Sequence, residues 1–227
     1  MMNHRGTFTA TRGATWRVGL VVCAAAACAT MFVAREAEAQ IKQPGAHAKY
    51  SVELEPHAAI WWQDSGDAYW SNNSGWGLGL RASIPLVDNG FVSSINNNVT
   101  LGFGLDWGHF SHKCYWGWNR NDPRYYGNND CTANTLWFPV VMQWNFFITK
   151  AFSVFGEPGL AIRHSWWNWN GGAWCGPANN PYSCDWSDSN TGLEPVFFVG
   201  GRVGNEKVSF TFRLGWPYAS LGASFFL

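Results

Sequence analysis

Ten ionisable residues are spaced for chemistry with one another and not with water. Glu53, Glu55 and His57 stand two apart. Arg81 keeps step with Gly75, Gly77, Gly79 and Ser83, and Asp106 with Thr100, Gly102, Gly104 and Gly108. Glu157 and Arg163 share one parity, as do Glu194 and Arg202, and Arg213 falls in line with Ser209, Thr211 and Gly215. Between these polar residues lie apolar ones, for example Val208, Phe210, Phe212, Leu214 and Trp216 around Arg213. A β-strand turns successive side chains to opposite faces, so the charges gather on one face and the apolar residues on the other. Five acids and four arginines with His57 nearly balance. Enclosed opposite charges pair, because an unpaired buried charge is very costly. The chemistry expected is a fixed network of ion pairs, without a cofactor.

Cys114, Cys131, Cys175 and Cys184 are the next candidates. His109, His112 and Cys114 lie close enough in sequence to imitate a metal set. An export signal (below) implies an oxidising compartment, which favours disulfides over metal. Four cysteines allow three pairings. Cys114–Cys131 and Cys175–Cys184 are preferred because each pair brackets one loop-like stretch.

The chain begins with an address. Arg5, Arg12 and Arg17 precede an uncharged apolar run, Val18 to Ala34, and Ala37-Glu38-Ala39 presents small residues at a cleavage site. Residues 1–39 therefore read as a signal peptide cut after Ala39, and residues 40–49 as a periplasmic lead-in. The rest has eleven basic and thirteen acidic residues and nothing that points to nucleic acid. Only 13% of the whole chain is charged, whereas 17% is aromatic. That balance suits a barrel with a greasy outside and Trp/Tyr rims.

Eight alternating segments must position the charges within residues 50–227. They run Tyr50–Trp62, Gly75–Ile84, Val99–Phe110, Thr135–Phe147, Phe152–His164 and Leu193–Gly204, then the hairpin Val208–Leu227 turning at Pro217-Tyr218. The fourth is apolar on both faces at first, with Gln143 and Asn145 marking its inner row. Links after the first, third and fifth segments are long and polar; Ser111–Asn134 and Ser165–Thr191 hold the cysteine pairs. Links after the fourth and sixth are short, and Leu86–Asn98 is longer than a standard turn. Both termini then lie on the periplasmic side. Glu55-Pro56, Glu157-Pro158 and Glu194-Pro195 read as three β-bulges, which can also shift the rows by one residue; the sharper reading is a cluster of glutamates in the lumen.

The expected fold is all-β: an eight-stranded antiparallel up-and-down transmembrane β-barrel. The signal peptide, the eight segments, the rhythm of long and short links and the terminal Phe225-Phe226-Leu227 resemble the small outer-membrane barrels of the outer membrane protein A and X type. In such barrels the last residue is usually Phe; here it is Leu227. The resemblance implies a monomer in the bacterial outer membrane, in contact with lipid and lipopolysaccharide, inserted by the barrel-assembly machinery. It implies a structural or surface-interaction role, with an extracellular ligand at the long loops. An eight-stranded interior holds little beyond side chains, so a narrow channel is a weaker reading.

Two other classes compete. His109-Phe110-Ser111-His112 is similar to the His-x-Ser-Asn motif of outer-membrane lipid A deacylases, which implies Ser111 as nucleophile and His109 as its base. The Asn is replaced by His112, and the next segment offers no outward carboxylate, so the chain is expected not to be an enzyme. His109 and His164 are the two ionisable strand residues on the outer row, each near a rim. A secreted lectin would use Trp116, Trp118, Trp166, Trp167, Trp169 and Trp174 as a stacking platform. The apolar outer rows argue against it.

Overall fold

The structure, a computed structural model, describes residues 40–62, 74–114, 129–175 and 182–227. The expected signal peptide and the link between the first two strands fall outside the described residues.

Eight strands close on themselves in sequence order: β1 (Glu53–Trp61), β2 (Gly75–Val87), β3 (Asn97–Cys114), β4 (Asn129–Phe147), β5 (Phe152–Cys175), β6 (Tyr182–Gly204), β7 (Val208–Trp216) and β8 (Tyr218–Phe226). Every neighbour is antiparallel, and β8 returns to β1. The phase follows the sequence alternation. In β1, Glu53, Glu55, His57, Ala59 and Trp61 are buried, while Pro56, Ala58 and Ile60 are exposed. In β7, Ser209, Thr211 and Arg213 are buried and the apolar row faces out, with Phe210 71% exposed. Ile60, Leu78, Phe103, Val140, Leu160, Phe197, Phe210 and Leu221, one from each strand, are all exposed. An apolar ring of that extent suits hydrocarbon and not water. No helix among the described residues is long and apolar enough to cross a membrane; the strands do the crossing.

The three Glu-Pro pairs do not form bulges. β1 pairs with β2 without a shift through Glu55↔Arg81 and Pro56↔Leu80. On its other side the ladder omits Glu55 and Pro56, then resumes in the same register at His57↔Gly222. The β4–β5 ladder likewise breaks between Val141↔Gly159 and Trp144↔Gly156 around Pro158. Pro195 pairs with Leu160 on one side and lies beyond the β6–β7 pairing, which begins at Phe197↔Trp216. Proline lacks an N–H and forfeits a rung, but a rung can be left out without inserting a residue. The rows therefore stay in phase. Register shifts occur elsewhere, at Pro85/Val87 and Gly171/Cys175.

Two expectations about the links change. Much of Ser111–Asn134 and Ser165–Thr191 is strand, because β3, β4, β5 and β6 run on past the apolar ring as paired hairpin arms. Polar residues in these arms still satisfy their backbones across the ladder, so loss of the apolar alternation does not end the strand. Tyr218 is not a turn residue: it opens β8 on the inner row, leaving Pro217 between the strands. Val99 has the parity of the exposed Leu101 and Phe103, which predicts the outer face, but it is buried. It lies two residues along from Asn97, on the corner where the chain folds back through Gly90 N–H to Asn97 O (3.0 Å).

Residues 40–50 do more than lead in. Gln40–Lys42 forms one turn of 3-10 helix. Gln40 N donates to Ile148 O at 2.9 Å, and Asn96 N donates to Ile41 O at 2.8 Å. His47 stacks on Phe147 at 4.4 Å and reaches the Asn96 amide oxygen at 2.7 Å. This segment fastens onto the rim formed by the ends of β3 and β4.

Candidate functional site

The lumen is built in layers, each following from which inner-row residues the closed register sets at one height. Toward the arms lies an apolar layer of Trp61, Phe110, Trp137, Phe198 and Tyr218, all buried. Trp61 is its centre: its ring lies 4.5 Å from Tyr218, 5.8 Å from Trp137 and 6.3 Å from Phe110. Gly108 stands beside it because a Cβ there would approach the indole to 2.9 Å.

Below is the charge layer. Arg213 holds Glu157 side-on, with Nε 2.9 Å from Oε2 and Nη2 3.1 Å from Oε1, and its Nη1 donates to Glu55. Ser224 Oγ donates to the other oxygen of Glu55 at 3.1 Å. Arg81 donates to Glu157 at 3.1 Å, to Asp106 at 3.3 Å and to the Tyr218 hydroxyl at 2.6 Å. Tyr218 in turn donates to Asp106. His57 Nε2 lies 3.1 Å from Asp106, and its Nδ1 lies 3.9 Å from Glu55. Gly79 makes room for that contact: a Cβ at 79 would collide with both the Asp106 carboxylate and the His57 ring. Arg213 and Arg202 lie over the ring of Phe155, and Arg81 over that of Phe198. Fork-shaped guanidinium–carboxylate bonds of this kind are among the stronger hydrogen bonds, and a low-dielectric surround strengthens them further.

The third layer is neutral and polar. Arg202 bridges down to it, donating to Glu53 at 2.8 Å and to Asn145 at 2.6 Å. Asn145 donates to Asn98 at 2.7 Å, and the Gln143 amide meets the Ser83 and Thr100 hydroxyls at 3.1 Å each. Tyr50, just outside β1, closes this end. Burial and the nearby Glu53 carboxylate push its hydroxyl up to about 12, so it adds no charge at neutral pH.

The structure thus brings Glu53, Glu55, His57, Arg81, Asp106, Glu157, Arg202 and Arg213 into one buried cluster. Arg163 and Glu194 pair with each other at 3.3 Å nearer the arms, where Glu194 is less enclosed. Sequence reasoning missed Tyr218, Trp61 and Phe198. Their parity with Ser220, Ala59 and Gly200 was the available signal.

The other candidates lie apart from the lumen. His109 is half-buried on the outer row, with Nδ1 2.9 Å from the Asn134 amide oxygen and its ring beside Trp76 and Trp107. Its described partner is an amide, not a carboxylate, and Ser111 is exposed. His164 meets the Thr191 hydroxyl at 2.8 Å. Cys114 lies opposite Asn129 and Cys131 opposite His112 on neighbouring strands; Cys175 lies opposite Tyr182, and Cys184 opposite Gly171. The side chains of the four cysteines and of His112 fall outside the described residues. So do Trp116 and Trp118, and the side chains of Trp169 and Trp174. Among the described residues no three His, Cys, Asp or Glu side chains converge as a metal set.

An apolar outer ring, a lumen crossed by buried ion pairs and eight closed antiparallel strands define an outer-membrane-type β-barrel. No protein-family model matches the chain, and no curated protein sequence matches it. Among solved structures it is similar to Ail, the attachment invasion locus protein of Yersinia pestis. The crystal structure is 11% identical, with 79% of this chain and 98% of that one covered at a TM-score of 0.39. Ail with the heparin analogue sucrose octasulfate gives 12%, 79%, 98% and 0.38. Ail in a phospholipid bilayer nanodisc gives 12%, 78%, 99% and 0.33.

The layered lumen should not conduct. Planar-bilayer recording of the purified protein is expected to show no large, stable open level, because the ion-pair layer and the aromatic layer each cross the interior. A steady wild-type conductance would show that neither layer closes it.

Proposed function

We propose that the protein is a monomeric barrel of the bacterial outer membrane, inserted by the assembly machinery and bounded outside by lipopolysaccharide. Its role is surface interaction through the arms that β3–β6 raise above the membrane. The observation that carries this reading is the mismatch of strand lengths. β7 ends at Trp216 opposite Phe197, whereas β6 reaches Tyr182. Among the described residues, β6 has a neighbour on one side only from Tyr182 to Val196, so its edge offers unpaired backbone groups. An open edge is a template for an added strand. The buried ion pairs and aromatic side chains that fill the lumen support the same reading.

The signal peptide is removed after Ala39, and N-terminal sequencing is expected to begin at Gln40. Cys114–Cys131 and Cys175–Cys184 staple the two arms, each stabilising by roughly 3 kcal/mol on the chain-entropy estimate. A peptide map of unreduced protein should show those two bridges; free thiols or a Cys114–Cys175 bridge would remove the staples from the account.

The test of function is capture of proteins and glycans by intact cells. Cells carrying the full barrel are expected to bind a partner that is lost when residues 112–131 and 168–188 are replaced by short turns. The trimmed barrel should keep its heat-modifiable migration. Equal capture by both would place the activity elsewhere. A hydrolase reading keeps one foothold, His109 beside Ser111. Ser111→Ala is expected to leave lipid A unchanged. Loss of an acyl chain on expression, abolished by Ser111→Ala, would put an enzyme in place of a binding protein.

A further inference from the structure

The β2–β3 connection is unlike the other two turns at its end of the barrel. Asn205-Glu206-Lys207 is short and polar, and the β4–β5 link is only Ile148-Thr149-Lys150-Ala151. The β2–β3 connection is longer, and it and its approach expose Leu86 (61%), Val87, Phe91 (62%) and Val92. A connection in free water gains nothing from four exposed apolar side chains.

Nor is this a loose loop. Asn97 is wholly buried and grips it: Nδ2 donates to Val92 O at 2.7 Å and to Ile95 O at 2.8 Å. Its Oδ1 accepts from Trp144 Nε1 at 2.9 Å. Phe91 then meets Trp144 edge-on, ring centres 5.4 Å apart. Trp144 belongs to the outer row of β4, along with Val140 and Met142. The outer ring of β2 and β3 ends at the paired, exposed Ile84 and Leu101, directly before Leu86 and Val87. The apolar surface of the connection therefore continues the lipid-facing ring. Its polar side carries Asp88, paired with Lys49 at 3.6 Å.

We propose that residues 86–95 form a membrane foot: a preformed connection whose Phe91 and Val92 dock into the periplasmic leaflet and hold the barrel at a fixed depth. The occupant is phospholipid, chosen because Phe91 packs on Trp144, which continues the lipid-facing row of Val140 and Met142. Aromatic side chains are favoured at that interface. The proposal goes beyond the surface role and rests on the barrel spanning a membrane with its short turns on the periplasmic side.

The test is photo-cross-linking of the full mature protein in phosphatidylcholine vesicles. p-Benzoylphenylalanine is placed singly at Phe91, at Phe210 in the lipid-facing ring, and at Glu206 in the polar turn of the same rim. Folded samples are selected by heat-modifiable migration. Position 91 is expected to yield lipid adducts as position 210 does, and position 206 to yield none. Asn97→Ala, which frees the connection, should bring the yield at 91 down toward that at 206. Lipid adducts at 210 with none at 91 would overturn the foot. So would a protein adduct at 91 in whole cell envelopes, which would make the patch a protein-docking site. Failure at both 91 and 210 would overturn it together with the membrane-spanning reading.

Discussion

Replacing Arg213 with alanine is expected to destabilise the barrel by about 3–5 kcal/mol in lipid vesicles, the cost of stranding a buried charge. Arg213 is buried and holds two carboxylates from opposite parts of the chain, Glu157 side-on and Glu55 through Nη1. Its loss leaves Glu157 with Arg81 and Glu55 with Ser224. Arg213→Leu should behave similarly, since a leucine fills part of the space but neutralises neither acid. Restoring neutrality is the sharper check. Glu157→Gln in the Arg213→Leu background should regain part of the loss, because removing both partners of an ion pair costs less than removing one. Reversible unfolding gives the four corners of the cycle. If Arg213→Leu stabilises, the residue faces lipid and the phase of β7 is reversed.

Trp61→Ala should cost about 3–5 kcal/mol as well, in the range of large aromatic truncations in packed interiors. The reason is different. Trp61 is fully buried at the centre of the apolar layer, against Tyr218, Trp137 and Phe110. The strands around it are held by closed ladders and cannot collapse into the space, so most of the cavity stays. The charge layer below should survive, and bilayer recordings of Trp61→Ala should remain without a steady open level. Trp61→Phe should recover much of the stability. A loss below about 1 kcal/mol for Trp61→Ala would show that the site collapses and that the layer is not close-packed. Opening of a conductance would show that the aromatic layer alone seals the lumen.

Much of this protein is legible in its sequence because strand alternation is local. Val208–Trp216 shows its two faces within nine residues, and the same rule assigns Arg81, Asp106, Glu157, Arg202 and Arg213 to the inside without knowledge of any neighbour. The number of strands, their phase and the greasy exterior follow from that period of two. The Glu-Pro pairs show its limit. Proline announces a missing donor, but whether the ladder drops a rung or adds a residue depends on the neighbouring strand. The arms beyond the ring show another limit, since a strand paired in water needs no apolar row. What the tertiary structure alone decided is who meets whom across the lumen. Arg213 reaches Glu55 across 158 residues, and Arg81 reaches Tyr218 across 137. Those meetings depend on closure of β8 onto β1 and on the stagger of all eight strands, which set the height of each inner residue. The alternation of a single strand says which side a residue faces, but its height relative to residues on distant strands exists only once the barrel is closed.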